Sequence, residues 1–191
     1  MKVCVYCASS PNIDSSYFEA TRALAKLLAS HQIEVVYGGG AKGLMGELAD
    51  TILEEGGKIK GIMPQFMNEV EWAHKKVADF EFTETMHERK AKFLEGVDGI
   101  LALPGGTGTL EELLEAVTLK RLGIIDIPIL ILNTNGFYEH LQKLMDRIVS
   151  EKFMQDKHHQ MWAFCKEPQD LIDELKSYQA WQGGSIAFKG S

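Results

Sequence analysis

Seven short apolar runs rich in β-branched residues are separated by stretches with helical periodicity, and that alternation constrains the chain more than any other feature. The runs are Val3 to Ala8, Ile33 to Tyr37, Lys58 to Met63, Val77 to Phe82, Gly99 to Leu103, Ile127 to Leu132 and Met161 to Cys165. Between them, Tyr17, Ala20, Leu24, Leu27 and Leu28 recur on one helical face. So do Leu110, Leu113, Leu114 and Val117, and then Phe137, Leu141, Leu144, Met145 and Ile148. A strand apolar at consecutive positions has no face to give to water. Amphipathic helices placed between such strands cover both faces when the strands run parallel and the crossovers are right-handed.

The expected architecture is therefore α/β: a Rossmann-like three-layer α/β/α arrangement around a mainly parallel sheet of about seven strands. With 191 residues the chain is long enough for one core, read as a single Rossmann-like domain over 1–177. From Tyr178 through Trp181 to Ser191 the periodicity is lost, and 178–191 is read as a tail or an oligomer contact. Ligands of such sheets bind beyond the carboxyl ends of the strands, which directs attention to the loops that leave strands and enter helices.

Charge and cysteine content narrow the partners. Twenty basic residues against 27 acidic ones leave a net charge of -7, which offers no footprint for polymeric nucleic acid. The three cysteines, Cys4, Cys7 and Cys165, are too few for a disulfide framework and fit a reducing, cytoplasmic setting. No apolar run approaches the roughly 20 residues of a membrane span, and no secretory signal opens the sequence, so no membrane partner is expected.

Two glycine-rich loops stand where the fold puts its ligands. The first, Gly38-Gly-Gly-Ala-Lys-Gly-Leu-Met-Gly46, satisfies G-x-G-x-x-G. The next strand ends Gly61-Ile-Met-Pro64 without the acidic residue that holds the ribose hydroxyls of a dinucleotide, which weakens a nicotinamide-dependent oxidoreductase reading. Lys42 is followed by glycine, so the triphosphatase loop is absent as well. These glycines serve either a ligand or merely a tight turn and close packing. The second loop, Pro104-Gly-Gly-Thr-Gly-Thr-Leu-Glu-Glu112, runs from a strand directly into an amphipathic helix. Its glycines let backbone approach an anion, and the unpaired amides of a helix start carry the positive end of the dipole. Thr109-x-x-Glu112 also reads as a capping box, in which the glutamate would serve only its own helix.

Pro104-Gly-Gly-Thr-Gly-Thr-Leu-Glu-Glu112 resembles the PGGxGTxxE signature of the Lonely Guy (LOG) family of cytokinin-activating phosphoribohydrolases, and Met86-His-Glu-Arg-Lys90 its second motif. Cys7-Ala-Ser-Ser10, Tyr37-Gly-Gly-Gly40 with Gly43-Leu-Met-Gly46, and Asn133-x-x-Gly136-Phe-Tyr138 are further similarities, from about residue 3 to the Glu167-Pro-Gln-Asp-Leu-Ile stretch. The resemblance implies cleavage of the base–ribose bond in adenosine-type 5'-monophosphates. It places Arg89 and Glu112 at catalytic positions. Glu71, Lys90 and the stretch Gly105, Gly106, Thr107, Gly108, Thr109, Leu110 and Glu111 take substrate-contact positions, and Ser9 with the first glycine loop around Gly39 lines the pocket. It also implies a homodimer or higher assembly with Arg89 and the Glu112 helix near the subunit boundary. No cofactor is implied, and the family's old label of lysine decarboxylase finds no lysine site for pyridoxal phosphate here.

Physical reasoning gives a role to each catalytic position that the resemblance picks out. A monophosphate on the amides around Gly106 to Thr109 leaves its sugar along the first helical turn, about 5 Å long, within reach of Glu112. A carboxylate there stabilises the positive charge that develops on the ribose and orients or deprotonates water, while Arg89 is assigned positioning and charge balance. Cys4-x-x-Cys7 lies inside a strand and is read as structural, as is His87; His158 and His159 near Cys165 do not complete a metal site. Where plant-type members read T-W-A-Q-L-G this chain has Thr118-Leu-Lys-Arg-Leu-Gly123, so AMP and N6-modified nucleotides both remain as substrates. A non-catalytic nucleotide carrier or sensor using the same phosphate seat is the alternative reading.

Overall fold

The computed structural model describes residues 1–68 and 73–181. Its elements are β1 (Lys2–Tyr6), α1 (Ser15–Ser30), β2 (Glu34–Tyr37), α2 (Gly43–Glu54), β3 (Ile59–Pro64), β4 (Asp79–Thr83) and α3 (Met86–Phe93). There follow β5 (Gly99–Ala102), α4 (Thr107–Arg121), β6 (Ile129–Leu132), α5 (Glu139–Ser150), β7 (Trp162–Cys165) and α6 (Pro168–Ser177). All seven expected strands form, with bounds displaced by no more than about two residues.

The sheet runs β4-β3-β2-β1-β5-β6-β7, and every neighbouring pair is parallel. Alternate strand residues feed opposite cores because side chains in a strand alternate between faces. Val3, Val5, Val35, Tyr37, Leu101 and Leu130 face Leu24 and Leu28 of α1, Leu44 and Leu48 of α2, and Leu171 and Leu175 of α6. Cys4, Tyr6, Val36, Ile100, Ala102 and Ile129 face Phe93 of α3, Leu113 and Val117 of α4, and Met145 and Val149 of α5. The three-layer arrangement follows directly.

Two expected helical stripes need correction. In α4 the buried face is Thr109, Leu113, Ala116, Val117 and Lys120, and Leu114 is exposed beside it. In α5 the buried residues are Met145 and Val149, and Leu144 is exposed. Phe137 precedes that helix, in a turn made by the positive φ of Asn135 and Gly136, and packs edge-on against Tyr17 instead of entering the core. The residues 178–181 of the expected tail fold back on the chain: the Tyr178 hydroxyl and the Trp181 amide both donate to Asp126 Oδ1, at 2.9 and 3.1 Å. Residues 182–191 lie outside the described residues.

β1 is the switch point. The chain winds outward from it through β2 and β3 to β4, then returns to place β5 on its other side. The loops that leave β1 and β5 diverge there and open a crevice at the carboxyl end of the sheet, where ligands of this architecture bind.

Candidate active site

Three loops are joined around that crevice. The Ala8 amide donates to the Pro104 carbonyl at 3.2 Å, linking the β1 loop to the β5 loop, and the Met45 amide donates to the Ala8 carbonyl at 3.2 Å, linking it to the start of α2. Gly43, with φ +60, permits the second junction, since a Cβ there would lie 2.5 Å from the Ser9 carbonyl carbon. The cavity so enclosed is ≈ 360 Å³, within the range of small-molecule sites.

One wall is the N-terminus of α4. Its N-cap is Gly106, whose backbone is extended and which has no side chain to cap the helix. Gly106, Thr107, Gly108 and Thr109 line the cavity, and the amides of a first turn have no carbonyl partner within their own helix. The capping-box alternative is thereby corrected. The helix begins at Thr107, so Thr109 lies inside its first turn and Glu112 beyond it, too late to cap.

The opposite wall carries Arg89. Thr85 caps α3 by accepting from the Glu88 amide at 3.1 Å, and this sets the helix so that Arg89 points inward. The Arg89 Nε donates to the Ile62 carbonyl at 3.2 Å, its guanidinium carbon stands 4.7 Å from the centre of the Phe93 ring, and Nη1 lies 3.4 Å from Glu112 Oε1. Both side chains are largely buried, so the pair meets with little water to screen it. The space for the guanidinium comes from Gly38, where a Cβ would stand 2.6 Å from Nη2.

Burial pushes the Cys4, Cys7 and Tyr6 side chains well above their usual ionisation range, and the Glu112 charge adds to it in all three. These thiols stay protonated. Cys4 faces one core and Cys7 the other, which fits their reading as structural residues.

Of the residues expected from the sequence, Ser9, Arg89, Gly106, Thr107, Gly108, Thr109, Glu111 and Glu112 share the cavity. Gly39, Lys90, Gly105 and Leu110 are not on its lining. Gly39, at φ +80, abuts the Phe80 ring, and Gly105 lies against the Thr109 side chain, so both serve close packing. Leu110 packs on the core of its own side of the sheet. Lys90 is engaged by Glu111 and Glu115, at 2.6 and 3.2 Å. Glu71 falls outside the described residues. The sequence reading missed Tyr6, Met67 and Met86, which supply apolar surface, while Gly38 and Met45 of the first glycine loop are on the lining. Met86 was detectable: it lies one helical turn before Arg89 and so shares its face.

Comparison with known proteins gives the family of the chain. Residues 45–175 fit the family described as possible lysine decarboxylase. LOG5 of Arabidopsis thaliana, a cytokinin riboside 5'-monophosphate phosphoribohydrolase, is 36% identical over 186 residues, 97% of this chain and 82% of that protein. The chain belongs to the LOG family. LOG3 of the same plant, another cytokinin riboside 5'-monophosphate phosphoribohydrolase, is 37% identical over 177 residues, covering 93% of this chain and 82% of that protein. The LOG-family fold also extends to the molybdenum cofactor binding protein of Rippkaea orientalis, with TM-score 0.69 at 18% identity over 92% of this chain and 95% of that one. That likeness is one of fold alone.

Proposed function

We propose that this LOG-family protein hydrolyses the N-glycosidic bond of adenosine-type nucleoside 5'-monophosphates, AMP or an N6-modified cytokinin riboside 5'-monophosphate, to free base and ribose 5-phosphate. The observation that carries the reading is the Arg89–Glu112 pair, 3.4 Å apart in the cavity that the start of α4 also lines. Membership of a family whose relatives are named for this reaction supports it.

In this reading the 5'-phosphate sits on the backbone around Gly106 to Thr109 without a lysine, held by amides and the helix dipole. The ribose then lies along the first turn of α4 with its anomeric carbon toward Glu112. As the bond from that carbon to the base nitrogen breaks, its electron pair leaves with the base and the sugar becomes positively charged. The Glu112 carboxylate stabilises this charge and takes a proton from the attacking water, whose oxygen forms the new bond to the anomeric carbon. That proton, passed on through solvent, neutralises the departing base. Arg89 cannot act as base, because a guanidinium keeps its protons. It fixes the carboxylate through Nη1 and offers Nη2 to ribose or phosphate oxygens.

Incubation with AMP and with isopentenyladenosine monophosphate, followed by chromatography of the bases, tests the reaction; release of base from neither counts against it. A carrier using the same seat would bind nucleotide and gain nothing from a carboxylate beside the sugar.

We further propose that the protein works in the cytoplasm as a homodimer joined through the outer face of α4 and α5. Leu114 and Leu144 are 44% and 55% exposed there, beside a groove that includes Val117, Met145 and Trp162. Light scattering at micromolar concentration is expected to give twice the chain mass, and a strict monomer would contradict it.

A further inference from the structure

We propose that Tyr138 is a positioning residue for the phosphate seat, acting through the carbonyl at the end of β5. Its hydroxyl donates to the Leu103 carbonyl at 2.7 Å, and the side chain is almost entirely buried. Burial holds the phenol well above its usual ionisation range, so it remains a donor at every pH at which the protein would work.

Tyr138 is itself fixed. Its amide donates to Asn133 Oδ1 at 2.6 Å, and the Asn133 amide donates to the Cys165 carbonyl at 2.8 Å, which anchors the turn to the end of β7. On the other side, the Leu103 amide donates to the Tyr6 carbonyl at 2.9 Å and the Pro104 carbonyl accepts from Ala8. Two successive carbonyls that lead into the glycine loop are thus gripped from opposite directions, one by the start of α5 and one by the loop after β1. Gly105 and Gly106 follow at once, and glycines impose little conformational preference of their own. Amides carried by such a loop keep their aim only if its entry is held, and Tyr138 supplies half of that hold. The Asn133-x-x-Gly136-Phe-Tyr138 motif thereby gains a role at a site it does not touch.

The inference rests on the phosphate seat of the proposed function, and binding of the reaction product tests it without turnover. Titration calorimetry with ribose 5-phosphate is expected to show Tyr138→Phe binding about tenfold more weakly, the effect of losing one neutral hydrogen bond. The KM for AMP is expected to rise in parallel. Inhibition by adenosine, which lacks the phosphate, should change by less than about twofold, since one hydrogen bond to the loop does not reach the base. Asn133→Ala, which keeps the hydroxyl but frees the Tyr138 amide, should weaken ribose 5-phosphate in the same direction, and serves where the phenylalanine variant folds poorly. Ribose 5-phosphate affinity unchanged in both variants, with only the melting temperature lowered, overturns the proposal. Absence of base release from the unaltered protein, with the weakening intact, counts against hydrolysis and leaves the positioning role standing.

Discussion

Arg89 on α3 and Glu112 on α4 meet at 3.4 Å with only 8% and 11% of their side chains exposed, so each helix supplies the charge that makes the other's burial tolerable. Breaking such a pair from one side leaves an uncompensated charge, which costs about 3–5 kcal/mol when the survivor is fully buried and less with the residual exposure seen here. Arg89→Ala is therefore expected to destabilise the protein by about 3 kcal/mol in urea denaturation, and adding Glu112→Gln to recover part of the loss. Glu112→Gln alone should lower kcat by roughly 10²–10⁴ and leave ribose 5-phosphate affinity within about threefold. Full activity in Glu112→Gln would remove this carboxylate from the chemistry.

Gly38 makes room for that arrangement. A Cβ there would lie 2.6 Å from Arg89 Nη2 and 2.9 Å from Met45 Sδ, and the guanidinium is the group least able to yield because Ile62 and Phe93 hold it. Gly38→Ala is expected to reduce kcat/KM by about 10²-fold through displacement of Arg89, with far less effect on stability than Arg89→Ala. Steady-state kinetics and a thermal melt on the same sample check this; unchanged kinetics would show that Met45 alone gives way.

The strands and their parallel sheet were legible because the central strands are apolar on both faces, a pattern that only a covered parallel sheet satisfies, whereas the strand order that makes β1 the switch point was not. The α4 loop was legible because its glycines run straight into a helix. Other features depend on tertiary neighbours that local pattern cannot name. Spacing says nothing of two helices delivering Arg89 and Glu112 to one point, and family resemblance alone paired them. Gly38 is required by a guanidinium from another segment, while Gly39 answers to Phe80. Leu114 and Leu144 fit a helical stripe yet fall just outside the contact.

Lys90 separates family expectation from observed geometry. The resemblance implies substrate contact, yet its ammonium is engaged by Glu111 and Glu115 across the α3–α4 junction. Both glutamates are more than a third exposed, so the network adds at most about 1 kcal/mol to stability. Lys90→Met is expected to lower kcat/KM by less than about tenfold, whereas Arg89→Lys, which loses the planar fork, should lower it by more than about 10²-fold. A rise in KM of about 10²-fold for Lys90→Met with kcat preserved would show that the ammonium leaves Glu111 for the substrate.

Lys120 gives the protein a pH dependence far from the cavity. It ends the buried stripe of α4 with no exposed surface, donates to the Ile127 carbonyl at 2.8 Å and lies 4.7 Å from the centre of the Tyr178 ring. Burial pulls its pKa down to about 8, with Asp126 partly opposing. An unfolded lysine titrates near 10.4, so between these values the unfolded chain holds a proton that the folded chain has released, and stability rises with pH. Tyr178 acts in the opposite sense at higher pH, because burial and its bond to Asp126 raise it to about 12 and its contribution falls once an unfolded tyrosine ionises near 10. The window free of that effect is about pH 7.5 to 9.5. Across it, the stability of the unaltered protein minus that of Lys120→Met is expected to grow by about 2 kcal/mol in urea denaturation. A difference that stays flat would mean that Lys120 remains charged throughout, held so by the Ile127 carbonyl and the Tyr178 ring.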